Sequence, residues 1–236
     1  MTRILVPLAV LEGETVSPGV VGSLSNAEVV LLGYHVVPEQ TPPGQARMSF
    51  EERAEKALGE TASSFKDAGV AVDTVLVFTH DRSETVARVA DEHGCDAVLS
   101  NQPSHDADDI LVPLLPTDAD GDEALVETVS SLVEGRDVSV DVVVFANEAD
   151  DTRAERVAGA LVERGIRSDA VTYGSRATDT PVISAGKEAS DHDLVVMRNE
   201  FSLADLVLGD KPGRVADTSL TPVVGVLRRD LPAEDI

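Results

Sequence analysis

Five residues near the end of the chain have the types and spacing to hold an anion: Arg198, Gly209, Lys211, Gly213 and Arg214. The glycines flank an expected helix start, where free backbone N–H groups and the helix dipole favour negative charge, and the three cations lie near the same expected mouth. The competing reading is that Arg198 and Arg214 pair with surface acids, which are in excess, and such pairs are individually weak. The other chemistry-bearing residues combine less well. The five histidines (35, 80, 93, 105 and 192) share no metal-ligand spacing, so no metal site is expected. His80-Asp81 stands at a strand end and reads as a loop histidine. Ser100, His105 and Asp106 include the residue types of a hydrolytic triad, but lie in a polar stretch without a nucleophile elbow. Asp118-Ala-Asp-Gly-Asp122 resembles a calcium loop but has Val129 where the twelfth-position Glu is required. It reads as a solvated acidic helix start, favourable to the dipole. The lone Cys95 reads as a small buried residue. No Walker loop and no dinucleotide-binding glycine fingerprint is present. No catalytic residue is assigned, and the chain is not expected to be an enzyme.

The elements that would position these residues come in two rounds. Residues 4–9 read Ile-Leu-Val-Pro-Leu-Ala, and residues 110–115 read Ile-Leu-Val-Pro-Leu-Leu. In the first round, strands are expected over 3–10, 28–37, 71–79 and 96–100. Residues 13–26 hold too few periodic apolar positions for more than a very short helix. A helix is expected from near Ser49, where Ser49 and Glu52 have capping-box spacing. Its stripe is Ala54, Ala57, Leu58, Thr61 and Phe65, and Gly69 closes it. A third helix spans 83–93. Residues 101–109 then read as a linker, and the round breaks off. The second round is longer: strands at 110–115, 138–145, 169–173, 194–197 and 222–227, with helices at 121–134, 151–164, 181–189 and 212–217. Strands alternating with helices give a doubly wound parallel α/β sheet. Two domains are expected, a truncated one over 1–104 and a complete one over 108–230.

The Ile-Leu-Val-Pro openings, Asp191-His-Asp-Leu-Val-Val-Met197 and the ending Leu208-Gly-Asp-Lys-Pro-Gly-Arg-Val-Ala216 with Thr221-Pro-Val-Val-Gly-Val226 resemble the universal stress protein family. The resemblance implies Rossmann-like α/β sheets ordered 3-2-1-4-5 in tandem, the first copy truncated. It also implies ATP or AMP as ligand, held by an Asp just after the first strand and by a glycine loop after the fourth. This chain departs from both features. The Asp positions are Ala9 and Leu115. Arg198-Asn-Glu-Phe201 replaces the first glycines of the loop, which is two residues short. Gly209 survives, but Asp210 replaces the phosphate-binding Ser/Thr and would repel the phosphate. The expected function is therefore a regulatory or binding module without catalysis or bound cofactor. The alternatives are an ATP or AMP pocket in the second copy, built on Lys211 and Gly209, and a sensor subunit of a membrane transporter. Dimers of the family pair through their last strands, so a homodimer through strand 222–227 is expected.

Composition bounds the partners. The net charge is −24, with 43 acidic and 19 basic residues, 3% aromatics and no Trp. That charge excludes a nucleic-acid binder, which needs a basic stripe to displace phosphate counterions. No apolar run reaches the length of a membrane span, and the opening residues do not read as a signal peptide, so a cytoplasmic protein is expected. Self-repulsion of this size weakens a fold at low ionic strength, whereas the screening length falls to about 3 Å at 1 M salt. The composition thus predicts a protein suited to molar salt. Circular-dichroism melts should show a folded protein in multimolar KCl and lost structure at low salt, and equal melting temperatures in both would contradict the charge argument.

Overall fold

The computed structural model describes residues 1–100, 107–116, 122–198, Val215 and 221–227. The first half contains β1 (Arg3–Ala9), α1 (Pro18–Ser23), β2 (Glu28–Val36), α2 (Pro43–Asp67), β3 (Ala71–Thr79), α3 (Arg82–Glu92) and β4 (Ala97–Ser100). The second contains β5 (Asp109–Leu114), α4 (Asp122–Val133), β6 (Ser139–Ala146), α5 (Thr152–Glu163), β7 (Val171–Ala177), α6 (Pro181–Ala189), β8 (Leu194–Arg198) and β9 (Val223–Val226). These bounds follow the sequence pattern closely. Gly69 and Gly94 close α2 and α3 at φ +79° and +60°, a conformation that a β-carbon disfavours. Two boundaries differ. The strand expected over 169–173 is β7, Val171–Ala177, preceded by a 3-10 turn at Ser168–Ala170. Helix α2 begins at Pro43, with Pro42 in the capping position and no side-chain cap. Ser49 lies inside the helix and its hydroxyl donates to the Gln45 carbonyl, so it is no cap. Proline in the first turn has no N–H to satisfy and starts the helix earlier than the Ser49 signal.

The strands form one nine-stranded sheet in the order β3-β2-β1-β4-β9-β8-β5-β6-β7. The first half contributes the order 3-2-1-4 and the second 3-2-1-4-5, each wound about a β1/β4-type switch point. The structure adds that the two halves are continuous. Strand β9 runs parallel to β8 on one edge and antiparallel to β4 on the other. Leu99 faces Val224, Val98 faces Gly225, and the Leu227 N–H donates to the Asp96 carbonyl at 2.8 Å. The fifth strand missing from the first half is thus supplied by the second. This corrects the expected homodimer through strand 222–227: both edges of β9 are already paired within the chain, so it has no free main-chain groups for a second copy. The open edges are β3 and β7, which carry Asp73 and Arg176, charges of the kind that discourage edge pairing.

The core explains why the halves do not separate. On one face a single apolar cluster runs from Ile4, Val6, Leu58 and Phe65, through Leu99 and Val224, to Ile110, Leu132 and Leu161 under α1, α2, α4 and α5. On the other face two clusters stand apart, one under α3 (Leu5, Val30, Val89 and Cys95) and one under α6 (Leu111, Val143, Phe145 and Val195). Leu227, just past β9, packs into the α3 cluster of the first half. No helix among the described residues is long and apolar enough to cross a membrane.

Because core and sheet cross the junction, the halves should unfold together. Leu99 on β4 is fully buried against β9. Leu99→Ala should destabilise the chain by about 2–5 kcal/mol, the usual range for such a cavity, and leave one cooperative transition. Two resolved transitions in calorimetry would contradict a shared core.

Candidate functional site

In a doubly wound sheet, ligands bind beyond the carboxyl ends of the strands where the strand order reverses. This chain has two such mouths, one beyond β1 and β4 and one beyond β5 and β8.

In the second mouth, Leu115 follows β5 and is buried at 5% exposure, so no carboxylate is offered at that position. Next to it lies a charge cluster that sequence reasoning did not find. The Asp122 side chain, 11% exposed, sits in the first turn of α4. Arg153, in the first turn of α5, donates to it twice, Nε to Oδ2 at 3.1 Å and Nη2 to Oδ1 at 2.7 Å. Its remaining Nη1 donates to the Leu115 carbonyl at 2.8 Å. Arg156, one turn further along α5, donates Nη2 to Oδ2 at 3.0 Å. The planar guanidinium of Arg153 thus bridges a carboxylate and the end of β5, a fork-to-fork geometry that Arg suits better than Lys. Burial disfavours the Asp122 anion. The hydrogen bonds and charge of Arg153, then Arg156, and the field of Arg198 outweigh that and hold its carboxyl below the ordinary value. Asp122 is therefore not the solvated acid that the sequence pattern indicated. Its signal was present only as Arg153 and Arg156 at helical spacing on another element.

Of the five anion-site candidates, the structure places Arg198 at the end of β8, within the field of Asp122. Gly209, Lys211, Gly213 and Arg214 lie outside the described residues, as do residues 101–106, 117–121 and most of the expected helix 212–217.

The first mouth is built on the same plan with different residues. Ala9 ends β1 and is buried. Its N–H donates to Glu14 Oε2 at 2.6 Å. The Arg82 guanidinium lies 5.6 Å over the Tyr34 ring, and burial pushes the Tyr34 hydroxyl pKa up. Asp81 caps α3 by accepting the Glu84 N–H at 2.9 Å, and the His80 ring bonds the Val37 carbonyl, so both have structural roles. Cys95 lies under α3, away from this mouth, and burial pushes its thiol up to about 11, far from the reactive range. A groove of about 590 Å³ lies elsewhere, between Thr2 and the ends of α4 and α5. Its Arg136, Arg164 and Arg167 are engaged by Asp108, Glu123 and Asp137.

No protein-family model matches the chain, and no curated protein matches it. Solved structures do. A universal stress protein from Archaeoglobus fulgidus superimposes with a TM-score of 0.62 at 15% identity, covering 97% of each chain. The fold is that of universal stress proteins. A putative universal stress protein from Pseudomonas aeruginosa matches at TM-score 0.55 and 13% identity, over 96% of this chain and 93% of its own. The cytoplasmic domain of a prokaryotic cation chloride cotransporter matches at TM-score 0.50 and 15% identity, over 96% and 95%.

The Asp122 cluster makes the second mouth sensitive to acid. Its lowered carboxyl contributes stability above the unfolded Asp value of about 3.9, and that contribution is lost as pH falls through the folded value. Asp122→Ala should cost on the order of 3 kcal/mol, the low end for a broken buried pair because Arg156 keeps solvent access. It should also flatten the acid limb of the stability profile. An unchanged acid limb would show that Asp122 is not held as described.

Proposed function

We propose that the chain is a tandem universal-stress-type binding and regulatory module, cytoplasmic, without catalysis, acting through a protein partner rather than a tightly held nucleotide. The observation that carries this reading is the second mouth. Where the family's Asp would meet a nucleotide stands buried Leu115, and the carbonyl beside it is taken by Arg153, itself clamped to Asp122. In the first mouth, Glu14 takes the Ala9 N–H in the same way. A ligand that used the Ala9 N–H or the Leu115 carbonyl would have to displace Glu14 or Arg153. For Arg153 that means separating its bidentate pair with Asp122 and desolvating the phosphate as well. The duplicated Ile-Leu-Val-Pro openings and the matching strand orders of the two halves support descent from a two-copy arrangement.

A second reading has its own support. The likeness to a cotransporter's cytoplasmic domain extends over nearly the whole of this chain. A module of this fold suits a transporter as its partner. ATP or AMP held by Lys211 and Gly209 remains the competing proposal for the second copy.

A thermal-shift titration with ATP, ADP and AMP in about 3 M KCl, a salt level set by the charge argument, separates these readings. A ligand that binds the native state alone at 100 times its Kd stabilises by about 2.7 kcal/mol. The proposal predicts no shift in a folded protein. A saturable shift, abolished by Lys211→Ala, would overturn it in favour of the nucleotide pocket.

A further inference from the structure

At the opposite end of the second half, three side chains converge that no sequence spacing linked. Asp109 opens β5, Asp141 is the third residue of β6, and His192 sits in the turn between α6 and β8. One ligand atom from each lies within 4.8 Å of the others. The register places Asp141 beside Leu111, and Asp109 lies two residues before Leu111, so both carboxylates are on the α6 face. The cluster is thus the polar rim of the apolar cluster under α6, beneath the C-terminus of that helix.

The histidine's hydrogen bonds fix which nitrogen is available. The His192 side chain is only 7% exposed. Its Nδ1 lies 3.0 Å from the Glu188 carbonyl, which can only accept, so Nδ1 carries the proton. In the neutral ring Nε2 then presents a lone pair, and it faces Asp141 Oδ2 at 3.1 Å, another acceptor. Two acceptors at that separation need either a proton on Nε2 or a metal ion between them. Zn–N bonds of about 2.0–2.1 Å and Zn–O bonds of about 2.0–2.2 Å set neighbouring ligands roughly 3–3.5 Å apart; the His192–Asp141 pair has that separation, and an Asp109 oxygen lies within 4.8 Å of both. A histidine that donates its other N–H to a backbone carbonyl is the usual way a metal-binding imidazole is oriented.

The surroundings are prepared for a cation. Asp141 Oδ1 accepts from the Thr172 hydroxyl, and Asp109 Oδ1 accepts from Ser139 at 2.8 Å. No Arg or Lys is bonded to either carboxylate among the described residues. The negative end of α6 points the same way.

The first half supplies an internal control. Leu5 pairs with Val30 and Val98 as Leu111 pairs with Asp141 and Val195, which makes Arg3, Val30 and Cys95 the counterparts of Asp109, Asp141 and His192. There Val30 and Cys95 are plain core residues, and Arg3 bonds Glu28 at 2.6 Å. The same position in one fold holds a hydrocarbon contact in one half and two carboxylates with an imidazole in the other. The cluster is therefore not something the fold itself demands.

We propose that Asp109, Asp141 and His192 Nε2 bind a divalent transition-metal ion of the Zn²⁺ class. Imidazole selects such an ion over Mg²⁺ or Ca²⁺, and three protein ligands leave an open position for water or a fourth group. The ion would tie the α6–β8 turn to β5 and β6. This reading does not depend on what the mouths bind.

The test is calorimetric titration of chelator-stripped protein with Zn²⁺ in multimolar KCl, with Co²⁺ as a spectroscopic probe. The expected result is one saturable site per chain, retained in excess Mg²⁺, with Co²⁺ absorption of a nitrogen- and oxygen-ligated ion. His192→Gln and Asp141→Asn should each weaken binding at least about 10-fold. Wild type and His192→Gln binding alike would mean diffuse carboxylate binding and would overturn the proposal, as would no saturable binding. If the variants fail to fold, long-range ¹H–¹⁵N spectra of the wild-type histidine rings decide. Zn²⁺ should shift the Nε2 signal of His192 alone, and a ring that stays doubly protonated in the presence of Zn²⁺ is a protonated ion pair and no metal site.

Discussion

The structure depends on the main-chain pairing of β9 along both of its edges. A strand at a sheet edge leaves a row of unpaired N–H and C=O groups, and a fold must satisfy them or shield them. The first half, lacking a fifth strand, would leave β4 open; the second half, standing alone, would leave β9 open. Pairing β4 with β9 closes both at once. The residues are suited to it. Val223, Val224 and Val226 are β-branched and buried on both faces, as a strand in the middle of a sheet requires, and Gly225 faces Val98 across the antiparallel pair. The continuous apolar cluster on one face follows from this closure.

Closure at the centre also fixes where function can lie. Both switch points open at the carboxyl ends of their strands, and at both a charged side chain of the chain bonds the strand-end backbone. Glu14 holds the Ala9 N–H, and Asp122 holds the arginine that caps Leu115. In a chain of net charge −24, arginine is the scarce partner. Two of the 15 arginines converge on Asp122, with Arg198 adding its field. An acid so held is a structural anion at the place where the fold would otherwise receive a ligand's charge.

Much of the fold was legible in the residues. Alternation of apolar runs with amphipathic stretches indicated the described strands and α-helices, with β7 set too early in the chain, because a doubly covered parallel strand must be apolar throughout and its helices need a stripe. The start of α2 was misread because Ser49 and Glu52 have cap spacing by coincidence, whereas Pro42 and Pro43 determine the turn. The fate of β9 was not legible. Val223–Val226 reads the same whether its second edge meets another chain or β4, since pairing partners far apart in sequence leave no local mark. Of the candidate anion site, only Arg198 falls on described residues. The Asp122 cluster was hidden for a related reason: acid and arginines lie on different helices, and only the crossover brings them together. His192, Asp109 and Asp141 were passed over because residues drawn from two strands and a distant turn have no short spacing to recognise.

Native-state hydrogen exchange of the β9 amides tests the central claim most directly. An amide in the middle of a continuous sheet exchanges only through global unfolding, whereas an edge strand opens locally at lower cost. The amides of Val224 and Val226, together with that of Leu99 on β4, should share the highest protection in the chain and a common opening free energy. Fast exchange of β4 or β9 amides with β1 and β5 still protected would mean that the halves are separate sheets and that the shared strand is not what holds the molecule together.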